Sequence, residues 1–125
     1  MTSTNDLRCY FNGSMSADTN NYLTDYATGL VAVLPTGAMV ESVALHANGS
    51  VSGDAVLRVG TVADNQSFFA ESDNVSSQSL NSNDVSNRKS GLVLSTTSDS
   101  NIVIYPVSNS VSGYIDVLVK YGSFS

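Results

Sequence analysis

Residues 39–61 read MVESVALHANGSVSGDAVLRVGT. In the first part, Val43, Leu45 and Ala47 fall on one face, with Ser42 and His46 on the other. In the last part, Ala55, Leu57 and Val59 alternate with Arg58. A period of two is the mark of a strand with one buried face. Between them lie Asn48-Gly49-Ser50 and Ser52-Gly53-Asp54, residue types that tolerate positive φ and build turns. The stretch predicts two strands joined as a hairpin by a medium loop.

The same grammar runs outward from it. Residues 30–34, Leu-Val-Ala-Val-Leu, are a continuous apolar run closed by Pro35-Thr36-Gly37. Such a run suits a strand buried on both faces, or one at a subunit contact. Downstream, residues 91–96 and 101–105 are strand-like, and Pro106 ends the second. Residues 114–121 form the last strand, with Ile115, Val117, Val119 and Tyr121 on one face and Asp116 and Lys120 on the other. No segment repeats apolar residues at the 3.6-residue period of a helix. Turns recur about every ten residues. The reading is all-β: a single-domain antiparallel β-sandwich, jelly-roll-like.

Two stretches break the pattern. Residues 1–26 show no period and are polar within, yet hold Tyr10, Phe11, Tyr22 and Tyr26. They read as an extended N-terminal arm on a domain spanning 27–125. Its four aromatics are the candidate partner contacts, since each ring buries a large area. Residues 63–90 hold Phe68-Phe69 and then isolated Val75, Leu80 and Val85 in a Ser- and Asn-rich setting. That length without a period predicts a long loop, either lying on the sheet or reaching a neighbour.

Composition narrows the function. Of 125 residues, 13% are charged, against roughly 25% in an average soluble domain. The 22 Ser, 12 Asn and 9 Thr fill the gap, beside 16 Val. Five Lys and Arg against eleven Asp and Glu give a formal charge of −6. Five scattered cations make no nucleic-acid footprint. No apolar run reaches the ~18 residues of a membrane span, and the start lacks the basic-then-apolar pattern of a signal peptide. One cysteine, Cys9, allows no intrachain disulfide and reads as a small buried hydrophobe suited to a reducing compartment. The Asn-x-Ser triplets at Asn12, Asn48, Asn65 and Asn74 follow from composition alone.

Chemistry is sparse. His46, the sole histidine, sits on a polar strand face, and no catalytic site is expected from it. Asp64-Asn65 and Asp73-Asn74 are the nearest thing to a hard-cation site, yet lack an Asp-rich loop. No phosphate-cradling glycine loop is present. No metal or cofactor is expected, and no enzyme activity. The absence of Trp weighs against a carbohydrate-binding module.

The stretch from Val43-Ala44-Leu45 through Gly53-Asp54, Val56-Leu57-Arg58-Val59-Gly60-Thr61, Asp64 and Phe68 resembles small bacteriophage structural proteins. The closing Gly113-Tyr114-Ile115-Asp116-Val117-Leu118-Val119-Lys120-Tyr121 looks like the terminal strand of the same group. The resemblance implies a capsid decoration (cement) protein with a jelly-roll-like fold. It implies the major capsid protein as partner, a homo-oligomer with a trimer favoured, and a place on the virion surface after synthesis in the bacterial cytoplasm. Another virion part (head fibre, tail knob or receptor-binding module) and an adhesive carbohydrate-binding sandwich are the alternatives.

Overall fold

A computed structural model describes residues 5–82 and 87–123. Among these residues nine strands form two antiparallel sheets. They are β1 (Asn5–Met15), β2 (Asn21–Tyr22), β3 (Thr24–Asp25), β4 (Val33–Leu34), β5 (Ala38–Ala47), β6 (Val56–Thr61), β7 (Arg88–Ser95), β8 (Ser100–Val107) and β9 (Val111–Ser123). The first sheet has the order β3-β1-β9-β5-β7. In the second, β8 pairs with β6 along one edge and with β2 and then β4 along the other. The inward residues of both sheets meet in one core, from Leu7, Cys9, Val43, Leu45, Val117 and Val119 on one side to Leu57, Val59, Ile102 and Ile104 on the other.

The alternations of residues 39–61 hold: Val43, Leu45, Ala47, Ala55, Leu57 and Val59 are buried. The hairpin does not. β5 pairs with β7 and β9, whereas β6 pairs with β8 in the opposite sheet. The eight residues between them cross from one layer to the other. A hairpin would stack both apolar faces in one layer, while the crossing sets them face to face across the core. At the crossing, Gly53 has φ +93°, and a Cβ there would lie 2.4 Å from the Ser110 carbonyl oxygen. Only glycine fits that approach.

The expected arm is corrected as well. Residues 5–15 form the eleven-residue β1, paired with β9 from Asn5↔Tyr121 to Met15↔Val111. Leu7, Cys9 and Met15 are core residues. Phe11 continues that inward face half-buried, but Gly13 leaves a gap in it and Tyr10 puts an aromatic on the outward face, which blurs period two. The chain then turns and passes from one sheet to the other: Tyr22 pairs with Val103 of β8, and Thr24 with Tyr10 of β1. Residues 21–25 thus close one side of the sandwich.

The apolar run at 30–34 is not a strand buried on both faces. Ala32 and Leu34 are buried, but Leu30 is 71% exposed and Val31 and Val33 about 40%. The strand proper is only Val33–Leu34. Pro106 does not end its strand either: it lies within β8 opposite Leu57. Its missing N–H costs no bond on that side, and its carbonyl accepts from Asp18 N–H at 2.7 Å.

Of the long 63–90 stretch, residues 63–82 lie on the sandwich. Phe68 and Phe69 are buried, with Phe69 bridged to Val59 of β6. Val75 and Leu80 are buried too, in a segment with two 3-10 turns, Glu71–Asp73 and Ser77–Ser82. Val85 lies outside the described residues. Here the Ser and Asn content finds its physical role. Ser77 Oγ accepts from Ala55 N–H at 3.0 Å and donates to the Gly53 carbonyl at 2.7 Å. Asn81 Oδ1 accepts from Val51 N–H at 2.9 Å. Short polar side chains thereby satisfy the backbone of the crossing loop without charge.

Candidate functional site

The outer face of the five-stranded sheet is set by the same alternation that fills the core. β1 turns Asp6, Arg8 and Tyr10 outward between buried Leu7 and Cys9. β9 presents Tyr114, Asp116, Leu118 and Lys120 between buried Ile115, Val117 and Val119. β5 contributes Ala44 and His46. Register then builds rows across the strands. One row is Tyr10–Asp116–His46, and the next is Arg8–Leu118–Ala44–Arg88.

A tyrosine cluster stands over these rows. Tyr10 lies between Tyr26, at 4.5 Å between ring centroids, and Tyr114, at 5.4 Å. The Arg8 guanidinium sits 5.6 Å from the Tyr26 ring centroid, within cation–π range. The Tyr26 hydroxyl donates to Asp116. Its one proton being so used, the Tyr114 hydroxyl 2.8 Å away donates to Tyr26. Desolvation and the Asp116 carboxylate push the Tyr26 phenol above its ordinary range. His46 Nδ1 lies 3.6 Å from the second Asp116 oxygen. Beside the cluster runs a groove of about 420 Å³, lined among others by Asp6, Arg8, Ala44, His46, Asp116 and Leu118.

Of the four expected contact residues, the structure unites two. Tyr10 and Tyr26 join the cluster. Phe11 is half-buried against the core. Tyr22 is exposed on the other sheet, opposite Val103. Sequence reasoning missed Tyr114, Asp116 and His46 as their neighbours. The outward register of Asp116 was readable, but the pairing that brings it to Tyr26, 90 residues away, was not.

A second feature adjoins it. Among the described residues, the exposed large apolar ones are Tyr22, Tyr26, Leu30, Val31, Val33 and Val62. Val33 pairs with Asn101, whose carbonyl accepts from Val62 N–H, and Tyr22 sits two residues along the same strand. Tyr22, Val33 and Val62 thereby form an apolar band along β8 of the second sheet, while Tyr26 stands over the first sheet. A shallow hollow lined by Val33, Tyr26, Arg8 and Tyr121 links the band to the tyrosine cluster. Contiguous exposed apolar surface marks an interaction site.

The Cys9 thiol is pushed up to about 12 by burial, with Asp25 and Asp116 adding to it, so it stays protonated and inert near neutrality. Its Sγ lies 3.5 Å from the Val117 carbonyl. Among the described residues no group of three or more His, Cys, Asp or Glu side chains could hold a metal ion. Among them, too, no helix is long and apolar enough to cross a membrane.

No family model and no curated protein matches the chain. Among solved structures it is similar to a chain in the acidic stable capsid structure of Helicobacter pylori bacteriophage KHP30. The TM-score is 0.55 at 17% identity, over 96% of this chain and 87% of that one. A chain in the capsid asymmetric unit of cyanophage Pam1 gives a TM-score of 0.48 at 17% identity, over 95% of this chain and 82% of that one. At this identity the likeness to the Helicobacter phage chain is one of fold, and it extends over nearly the whole sandwich.

Proposed function

We propose that this protein is a structural component of a phage virion that decorates and stabilises the capsid by binding the major capsid protein. The fold shared with a chain of the Helicobacter phage capsid, over 96% of the residues, is the observation that carries the proposal. The surface supports it. A preorganised tyrosine cluster and an adjoining apolar band offer rigid contact area at low entropic cost, as interfaces between proteins use it. The band, covered by a second copy, gives the homo-oligomer, with a trimer favoured. The role needs no catalytic group and no cofactor, and the protein is read as a non-enzyme placed on the capsid surface after synthesis in the host cytoplasm.

The test is rebinding. Particles that carry this chain are stripped of it, and purified chain is added back. Saturable return to the shell, with a raised temperature of shell disruption, is the expected result. No return, or return only to the tail, overturns the proposal.

A further inference from the structure

The chain is acidic overall, yet its cations are segregated. Of five Lys and Arg, Arg58 and Lys89 are ion-paired, to Glu71 at 2.6 Å and Asp73 at 2.7 Å. The other three, Arg8, Arg88 and Lys120, form no ion pair among the described residues. All three lie on the outer face of the five-stranded sheet, with the sole histidine, His46. The carboxylates facing them are Asp6, opposite Lys120, and Asp116, engaged by Tyr26 and His46, with Glu41 in the bulge of β5 beside them. Asp25, in β3 at the edge of the same sheet, lines a hollow with Asp6 and Arg8. Asp18, Asp54, Asp64, Glu71, Asp73 and Asp99 lie outside the strands of this sheet, in turns and loops.

The geometry of the Arg8–Leu118–Ala44–Arg88 row is specific. Its floor is Leu118 and Ala44, and an arginine stands at each end. Three strand spacings of ~4.8 Å separate the ends by about 14 Å. An extended peptide rises ~3.3 Å per residue, so positions i and i+4 lie about 13 Å apart and on the same side. Carboxylates at those positions are spaced as the backbone positions of the two arginines are, and an apolar side chain at i+2 falls over the Leu118/Ala44 floor.

We propose that this face docks an extended acidic segment of the capsid shell protein, of the pattern acidic–x–apolar–x–acidic, laid across the strands from Arg8 to Arg88. The proposal rests on the capsid-binding reading and adds the chemistry of the partner. Lys120 and the groove beside Tyr26 flank the segment, and the cations set orientation and encounter rate more than raw affinity.

The experiment uses the same stripped shells, with wild-type chain, the R8E/R88E variant, the milder R8Q/R88Q variant, and D54K as a charge control. Thermal unfolding verifies that each is folded. The expected result is a loss of roughly tenfold or more in shell affinity for R8E/R88E, as each exposed pair changes from attraction to repulsion. R8Q/R88Q falls between it and wild type, and D54K binds as wild type. Equal binding by all folded forms overturns the docking face and leaves the capsid reading standing. Failure of wild type to bind overturns both. Tight binding of a single- or double-stranded oligonucleotide at physiological salt, abolished by R8E/R88E, overturns the peptide assignment in favour of nucleic acid.

Discussion

Met15 decides whether the N-terminal stretch is an arm or a wall of the sandwich. It closes β1 opposite Val111, with no exposed surface, among core side chains. Met15→Ala removes three heavy atoms there and leaves a cavity that a strand paired on one side with β9 closes only in part. Such truncations cost about 2–5 kcal/mol. Taking ~3 kcal/mol, this compares with a whole-chain stability of roughly 6–19 kcal/mol for a domain of this length. With a urea slope of ~1.5–2 kcal/mol/M, the midpoint falls by roughly 1.5–2 M. Equilibrium urea unfolding, followed by circular dichroism, measures it. The slope itself should not change. A midpoint shift below about 0.5 M would refute the reasoning, because an arm residue resting on the surface would give that result. The same logic predicts that a chain lacking residues 1–26 does not fold, since β9 would lose its partner along eleven residues.

Further outcomes follow at four individual residues. Gly60→Ala places a Cβ 2.3 Å from the Asp64 carbonyl oxygen, so the 62–67 loop must move. The cost is about 1–3 kcal/mol, with faster hydrogen exchange at Thr61 and Val103 as the readout. Because burial raises the Cys9 thiol to about 12, the folded protein resists iodoacetamide at pH 8.5 and reacts on denaturation. The sign for stability follows: the contribution of Cys9 is complete below its unfolded value near 9 and is lost as pH rises towards 12, so Cys9→Ala flattens the alkaline limb of a stability profile. For Asp73 the sign is opposite. Its bond to Lys89 lowers its acid value, so its contribution is complete above the unfolded carboxylate range and is lost as pH falls below it. Acid unfolding of Asp73→Asn should show a shallower dependence on pH. Finally, Val33→Asp puts a charge into the exposed apolar band and should shift the solution mass towards monomer without changing the melting temperature. An unchanged oligomer would remove the band from the self-contact.

What was legible in the sequence was local. Period two named the inward residues of β5, β6 and β9, and the absence of a 3.6 period excluded helices. The outward place of Asp116 and Lys120 was readable on the same ground. Partnership was not. The turn signals at Asn48 and Gly53 fit a hairpin as well as a crossing between sheets. Only the closure of a common core selects the crossing, and that depends on β8 and β9, distant in the chain. β1 was hidden because Gly13 leaves a gap in its inward face and Tyr10 puts an aromatic on its outward one, and because its register is set by β9 more than 90 residues later. The run at 30–34 misled in the other direction, since hydrophobicity alone does not say whether a side chain meets its own core or another molecule. The tyrosine cluster joins residues 10, 26 and 114, a proximity that sheet pairing creates.

Low charge density also takes on a sharper meaning. It reflects loops held by Ser and Asn side chains, with the three cations that form no ion pair among the described residues together on one face. That face is where docking to the shell is placed. Electron cryo-microscopy of virions carrying this chain tests it most directly. The expected map shows the sandwich repeated at symmetry-related positions on the outside of the shell, with the outer face of β1, β9, β5 and β7 turned towards the capsid protein. Density confined to the tail, or a shell contact made through a different face, would contradict it.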